Sequence, residues 1–308
     1  MKTRIITGSL IGLAVAGFFG LRFISPYFFD AMIAIIMVCG AGEVSKVFNR
    51  SEKYNNMTLA TVFPVMVMTG LLLCSLYELS FLYALLVEGS LFVLFILITL
   101  LWTACDNKSF NAEKTEEQTK AKYVGRKFGY TLITFAYPTL ILSTLYYINH
   151  LADLGMTKQE SLLIGFIALI MLFVTTMLTD VCAYFFGSLI KGPKLCPYIS
   201  PNKTISGAFG GIFGAVVGAI CTYFVFTSIA PLATIINESN LFLWVVIAYS
   251  VVASIISQAG DIFASWLKRR ARTKDFSTIF PGHGGFMDRC DGLAFNAVLT
   301  LIVFALIF

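Results

Sequence analysis

Nine apolar runs succeed one another along the chain. They are approximately Ile5–Leu21, Phe28–Val47, Met57–Leu76, Leu82–Trp102, Gly129–Asn149, Glu160–Thr179, Gly207–Ala230, Leu241–Ala264 and Gly292–Phe308. Each reaches or approaches the ~20 residues that carry an α-helix across a bilayer. Only a short stretch around Glu78 separates the third run from the fourth, which predicts a tight helical hairpin. The pattern predicts an all-α, polytopic membrane protein with about nine transmembrane helices. No strong internal repeat accompanies it.

Composition closes off the soluble alternative. Of 308 residues, 58% are hydrophobic and only 13% are charged, with a mean hydropathy of +0.83. Lipid must therefore solvate most of the side chains, and each backbone group must be satisfied within its own helix. Lys2 and Arg4 precede the first run, and no small-residue cleavage site follows it, so a retained first helix is expected rather than a signal peptide. No acylation or prenylation signal is expected at either end. Cys39, Cys74, Cys105, Cys182, Cys196, Cys221 and Cys290 are scattered without a CxxC pair. That spacing argues against zinc and against a disulfide framework.

The basic residues set the orientation. With a cytoplasmic N-terminus, all of the 22 Lys and Arg residues except Arg22 and Lys158 fall in inward segments. The C-terminus is then expected to face outward. The chain divides into residues 1–128, with the first helices and a charged cytoplasmic loop, and residues 129–308, with the remaining helices and the candidate chemistry. Both belong to one integral membrane unit. The loop Cys105–Lys127 mixes both signs of charge, as a solvated surface does.

Acids inside apolar runs need a reason, because a charge at a helix centre costs about 2.5–3.5 kcal/mol on insertion scales. Glu43, Glu88, Asp180 and Asp261 lie in or at the ends of such runs. Glu88 can snorkel or pair with a neighbour, and Glu43 can partner a basic loop residue. The stretch from Gly260 to Gly292 is the richest in the chain. If the eighth helix continues past the membrane, Asp261, Ser265, Lys268 and Arg272 share one face. Pro281, Gly282, Gly284 and Gly285 form a turn around His283, and Asp288 and Asp291 open the last helix. Helix-end preference alone explains the two acids. Acids interleaved with Lys and Arg instead suit a metal-bound polyphosphate, since Mg²⁺ takes oxygen ligands and borrows substrate phosphates.

A second segment points the same way. Asp180, Tyr184, Gly187 and Lys191 recur about once per helical turn, and Lys203 stands just before the seventh helix, where anions bind. Gly210, Gly214 and Gly218 predict close helix contact. The P-loop spacing is absent.

The C-terminal stretch closely resembles the signature of the phosphatidate cytidylyltransferase (CDP-diacylglycerol synthase) family. The matching residues are Ser265, Lys268-Arg269, Lys274-Asp275, Pro281-Gly282-His283-Gly284-Gly285 and Asp288-Arg289-Cys290-Asp291. The segment Asp180 to Ser206 is also similar, although Asn202 stands where many members have Lys and Ser206 where they have Glu. The resemblance implies that CTP and phosphatidate give CDP-diacylglycerol and pyrophosphate in phospholipid biosynthesis. It implies Asp261 and Asp288 as ligands of Mg²⁺, paired with K⁺, and Ser265 as a contact through oxygen or water. It also implies a homodimer, while the short N-terminal segment leads to an expected place in the plasma membrane.

Lys268, Arg289 and Lys203 are assigned to the substrate phosphates, with Arg269, Arg272 and Lys274 as further candidates. His283 either transfers a proton or organises the loop, and Asp180, Asp275 and Asp291 support the site. The alternatives are a cytidylyltransferase or kinase acting on an isoprenoid lipid and, from another class, an ion-coupled transporter. The basic surface is not read as a nucleic-acid interface, because aromatic residues are not interleaved with the bases.

Overall fold

A computed structural model describes residues 2–52, 57–105, 120–151, 158–238 and 243–308. Lys53, Lys108, Lys114 and most of the charged stretch before Lys122 lie outside the described residues. The described chain is a helix bundle. Its helices are α1 (Lys2–Arg22), α2 (Pro26–Glu52), α3 (Met57–Leu76), α4 (Phe81–Cys105), α5 (Lys120–Phe135), α6 (Ile141–Asn149), α7 (Lys158–Ile190), α8 (Ile205–Thr227), α9 (Ala230–Glu238), α10 (Leu243–Arg270) and α11 (Met287–Ile307). Eight helical stretches among the described residues are long and apolar enough to cross a membrane, counting Lys120–Asn149 as one. Ile6–Arg22 forms a shorter apolar helix, so all nine predicted runs are helical. The protein is a multi-pass membrane protein.

Several boundaries moved for physical reasons. Helix α7 continues to Ile190, about a dozen residues past the predicted end, and α10 continues to Arg270. Helix α5 begins at Lys120, inside the stretch read as loop, and it runs through residue 128. One turn, Ala136–Leu140, widens to π geometry around Pro138. Proline donates no N–H and crowds the carbonyl a turn earlier, and an extra residue in the turn relieves both. The short helix α9 and a two-stranded hairpin, β1 (Lys194–Cys196) with β2 (Ser200–Thr204), were not foreseen.

Packing differs between the halves. In the first, Phe63 meets Phe95 edge-to-face with ring centroids 4.6 Å apart, and Phe95 stacks on Phe135 at 4.1 Å. Helix α4 has only 22% of its apolar window buried, so its outer face is a lipid surface. In the second half, small residues let backbones approach. A Cβ on Gly214 would meet Cys182 Sγ at 2.5 Å, and one on Gly210 would meet the Phe186 side chain. The glycine series therefore seats α8 on α7, as predicted. Without a hydrophobic drive inside lipid, such close contact is what holds helices together.

Candidate active site

The helix ends gather the polar residues. The C-terminal ends of α2, α7 and α10 meet the N-terminal ends of α8 and α11 at one end of the bundle. Helices α10 and α11 touch there because two glycines face each other's helix. A Cβ on Gly260 would lie 2.7 Å from the Asp291 carbonyl, and one on Gly292 would lie 3.2 Å from Asp261 Oδ1. That approach brings Asp261 beside the first turns of α11, within interaction range of Asp291. Asp180, from α7, interacts with Asp261, Lys203 and Arg289.

Cations thread through these acids. Lys203 Nζ donates to Asp261 Oδ2 at 3.1 Å. Lys268 Nζ donates to Asp288 Oδ1 at 2.8 Å and lies 3.9 Å from Asp291 Oδ2. Asp261 and Lys203 keep 21% and 26% of their side-chain surface exposed, whereas Asp288 keeps 3%. A ligand can therefore reach the first pair directly. It can reach Asp288 only by displacing what surrounds it.

Asp288 is occupied by the loop that precedes it. Its Oδ2 accepts the backbone N–H of Phe276 at 2.8 Å and of Gly285 at 3.0 Å. The turn itself closes through Phe280 N–H to Gly284 O at 2.9 Å and His283 N–H to Phe280 O at 2.8 Å. Gly282 and Gly284 have φ of 79° and 82°, which residues with a Cβ rarely adopt. Gly284 also approaches Asp288 Oδ2, at 2.8 Å from an added Cβ. Glu43 completes the anchor by accepting the N–H groups of Phe286 and Met287 at 3.0 Å and 2.9 Å. The partner foreseen for Glu43 was a basic residue; it is instead the exposed start of α11, where donors lack helical partners.

Other expected residues fall in different places. Arg272 does not share the Asp261 face, because α10 ends at Arg270 and Arg272 turns outward with φ 54°. Lys274 and Asp275 are exposed on the same loop, and Arg269 donates to the Ile199 carbonyl at 3.3 Å, bracing the hairpin. Ser265 is half-buried on α10. His283 lies against the first helix, where a Cβ on Gly8 would meet its Nε2 at 3.4 Å. Its Nδ1 is buried without a partner among the described residues. Glu88 is paired rather than snorkelling, accepting from Ser143 at 2.5 Å and Tyr147 at 2.7 Å.

Beside Asp261 opens a cavity of about 830 Å³. Asp180, Tyr184 and Gly187 line it from α7, as their spacing predicted, and Lys191 lines it from the residue that follows the helix, with φ 52°. Lys194, Ser200, Asn202 and Lys203 line it from the hairpin, and Gln258 and Asp261 from α10. Thr204 caps α8 by accepting the Gly207 N–H at 3.1 Å, and Ser206 accepts the Gly192 N–H at 3.3 Å. Ser206 thus tethers the turn between α7 and the hairpin. The volume is in the range of small-molecule sites.

Two residues escaped the sequence reading. Tyr137 is 2% exposed, and its hydroxyl has no partner among the described residues. It interacts with Asp291, Asp261 and Asp288, and its ring packs 5.2 Å from Phe263. Ser257 Oγ, next to Gly292, is likewise buried without a partner among the described residues. The Tyr-Pro pair inside an apolar run was the one available signal for Tyr137, since π turns recur at functional sites.

Comparison with known proteins fits this arrangement. A phosphatidate cytidylyltransferase of Brucella suis is 42% identical over 144 residues, which cover 47% of this chain and 48% of that protein. One from Staphylococcus saprophyticus is 39% identical over 136 residues, covering 44% and 47%. The match thus spans about half the length of these curated relatives. The model of the cytidylyltransferase family is broader in reach: it matches residues 2–307, from the first helix to the last, and the chain belongs to that family.

Proposed function

We propose that the protein transfers the cytidylyl group of CTP to phosphatidate, giving CDP-diacylglycerol and pyrophosphate. The observation that carries the reading is a membrane-end cavity in which Lys203 and Asp261 meet openly beside further acids and lysines. A phosphate oxygen of phosphatidate attacks the α-phosphorus of CTP, and the bond to the pyrophosphate oxygen breaks. Two polyanions must approach, so neutralisation and positioning are the main catalytic tools. Lys203, Lys191 and Lys194 line the cavity and neutralise phosphate oxygens. Lys268 and Arg289 serve at the α11 edge. A phosphate monoester is already mostly ionised near neutral pH. No strong base is needed, and His283 serves as a loop organiser against α1.

The donor set suits Mg²⁺, and the sequence resemblance adds K⁺ as an accompanying cation. Carboxylate oxygens are hard ligands, and Mg²⁺ is commonly held by one or two of them together with substrate phosphates. No group of three or more His, Cys, Asp or Glu side chains suited to a metal occurs among the described residues. Asp261 would hold the ion, with Asp180 and Asp291 behind it. Asp288, the second ligand that the sequence resemblance implies, would join only by giving up Lys268. When bound, the metal supplies charge neutralisation on the phosphates.

The lipid's acyl chains remain in the bilayer. The active end faces the cytoplasm of the plasma membrane, and the enzyme works as a homodimer. Purified protein given CTP labelled on its α-phosphate, Mg²⁺ and phosphatidate should move label into the organic phase and release pyrophosphate. Absence of transfer, or transfer only to another lipid acceptor, overturns the assignment.

A further inference from the structure

We propose that a second groove, facing away from the reaction cavity, binds an anionic glycerophospholipid of the surrounding bilayer. The groove has a volume of about 490 Å³ and runs between the ends of α2, α5 and α10. Phe48, Tyr130, Ile133 and Leu267 make its walls apolar. Arg270 stands nine residues after Asp261, half a turn round the helix at 3.6 residues per turn. The groove is therefore separated from the catalytic face by the thickness of α10.

Three features argue for a lipid with a charged head. Arg126 and Arg270 both line the groove, are exposed, and form no ion pair with an acid among the described residues. Guanidinium forks suit phosphate oxygens, and basic pockets between membrane helices on the charged side take anionic head groups. Beneath them, Gly125 and Gly129 lie one turn apart, and a Cβ on either would meet nothing within 4 Å. These glycines do not serve helix packing, unlike Gly210 or Gly214; they leave a channel open. Trp266 lines the same groove and is 43% exposed, as interfacial tryptophans are. A phosphodiester head between the arginines, with a chain along the glycine channel, satisfies the charge and the apolar wall together. This site is independent of the proposed transfer reaction.

Trp266 supplies the measurement. The full chain carrying Trp102→Phe and Trp244→Phe keeps Trp266 as its one tryptophan. It would be reconstituted in phosphatidylcholine vesicles with rising fractions of brominated phosphatidylglycerol or brominated phosphatidylcholine. Quenching should be half-complete at a fraction on the order of tenfold lower for the anionic lipid. Arg126→Gln with Arg270→Gln should abolish that preference. Gly125→Leu with Gly129→Leu should reduce quenching by both lipids, because leucines would fill the channel. Equal quenching by the two lipids, or a preference that survives both pairs of substitutions, overturns the proposal. So does quenching by neither, which would mean that a second protein surface covers the groove.

Discussion

At one end of the bundle, Arg22 is fully buried, and its neighbours answer it. Its Nε donates to Asn149 Oδ1 at 2.6 Å and its Nη1 to the Leu162 carbonyl at 2.7 Å. Asn149 donates onward to Asp30 at 2.8 Å, and His150 closes on the other Asp30 oxygen at 2.9 Å. Gly165 leaves room for the guanidinium, since a Cβ there would lie 2.6 Å from it. At the other end, Lys203 and Asp261 remain partly exposed, and Tyr137, Ser257 and His283 each have a buried polar atom without a partner among the described residues. No atom of the Arg22 network is in that condition. Buried polar groups are normally satisfied, and those left open mark strain or chemistry. The first cluster ties α1, α2, α6 and α7 together; the second leaves bonding capacity for something else.

The comparison breaks first at Arg22. Arg22→Leu takes the donor away from Asn149 Oδ1 and the Leu162 carbonyl, which should cost about 1–3 kcal/mol for each buried group left unpaired. Thermal unfolding in detergent should fall sharply, while turnover per folded molecule is retained; a large loss of turnover at unchanged stability would erase the contrast. Asp261→Asn should do the opposite, lowering turnover by at least about 100-fold, as losing one charge-stabilising group does. Its unfolding temperature should barely move, because a partly exposed pair contributes little.

Smaller effects sharpen the boundary. Glu43→Gln keeps only one acceptor oxygen for two backbone donors, which should cost about 1–3 kcal/mol locally. Turnover should drop about tenfold, and protease should cut the loop before α11 more readily. Tyr137→Phe removes a hydroxyl with no hydrogen-bond partner among the described residues, so stability should hold or rise. A fall in kcat of roughly 3- to 30-fold, within the range of one hydrogen bond, would assign the hydroxyl to substrate positioning. Unchanged kcat would make it a packing residue.

How much was legible can be argued from particular residues. Asp180, Tyr184 and Gly187 were grouped correctly because helical spacing alone places them on one face of α7; Lys191 reaches the same cavity although it follows the helix with φ 52°. The seating of α8 was legible from Gly210, Gly214 and Gly218 for the same reason. Asp288 was not. Its spacing from Asp291 shows a helix start, but only the fold reveals that Phe276 and Gly285 occupy one of its oxygens. Arg272 failed because one residue in left-handed geometry ends the shared face.

Local patterns determined the apolar runs that become helices and the polar ends, since lipid requires each span to satisfy its own backbone. The tertiary structure decided which ends meet. It put Glu43 under the start of α11, Tyr137 beside the acids, and Arg22 in a closed cage rather than an outer loop. Those pairings join residues far apart in the chain. They depend on helix rotation and close approach, which packing fixes and hydropathy does not record.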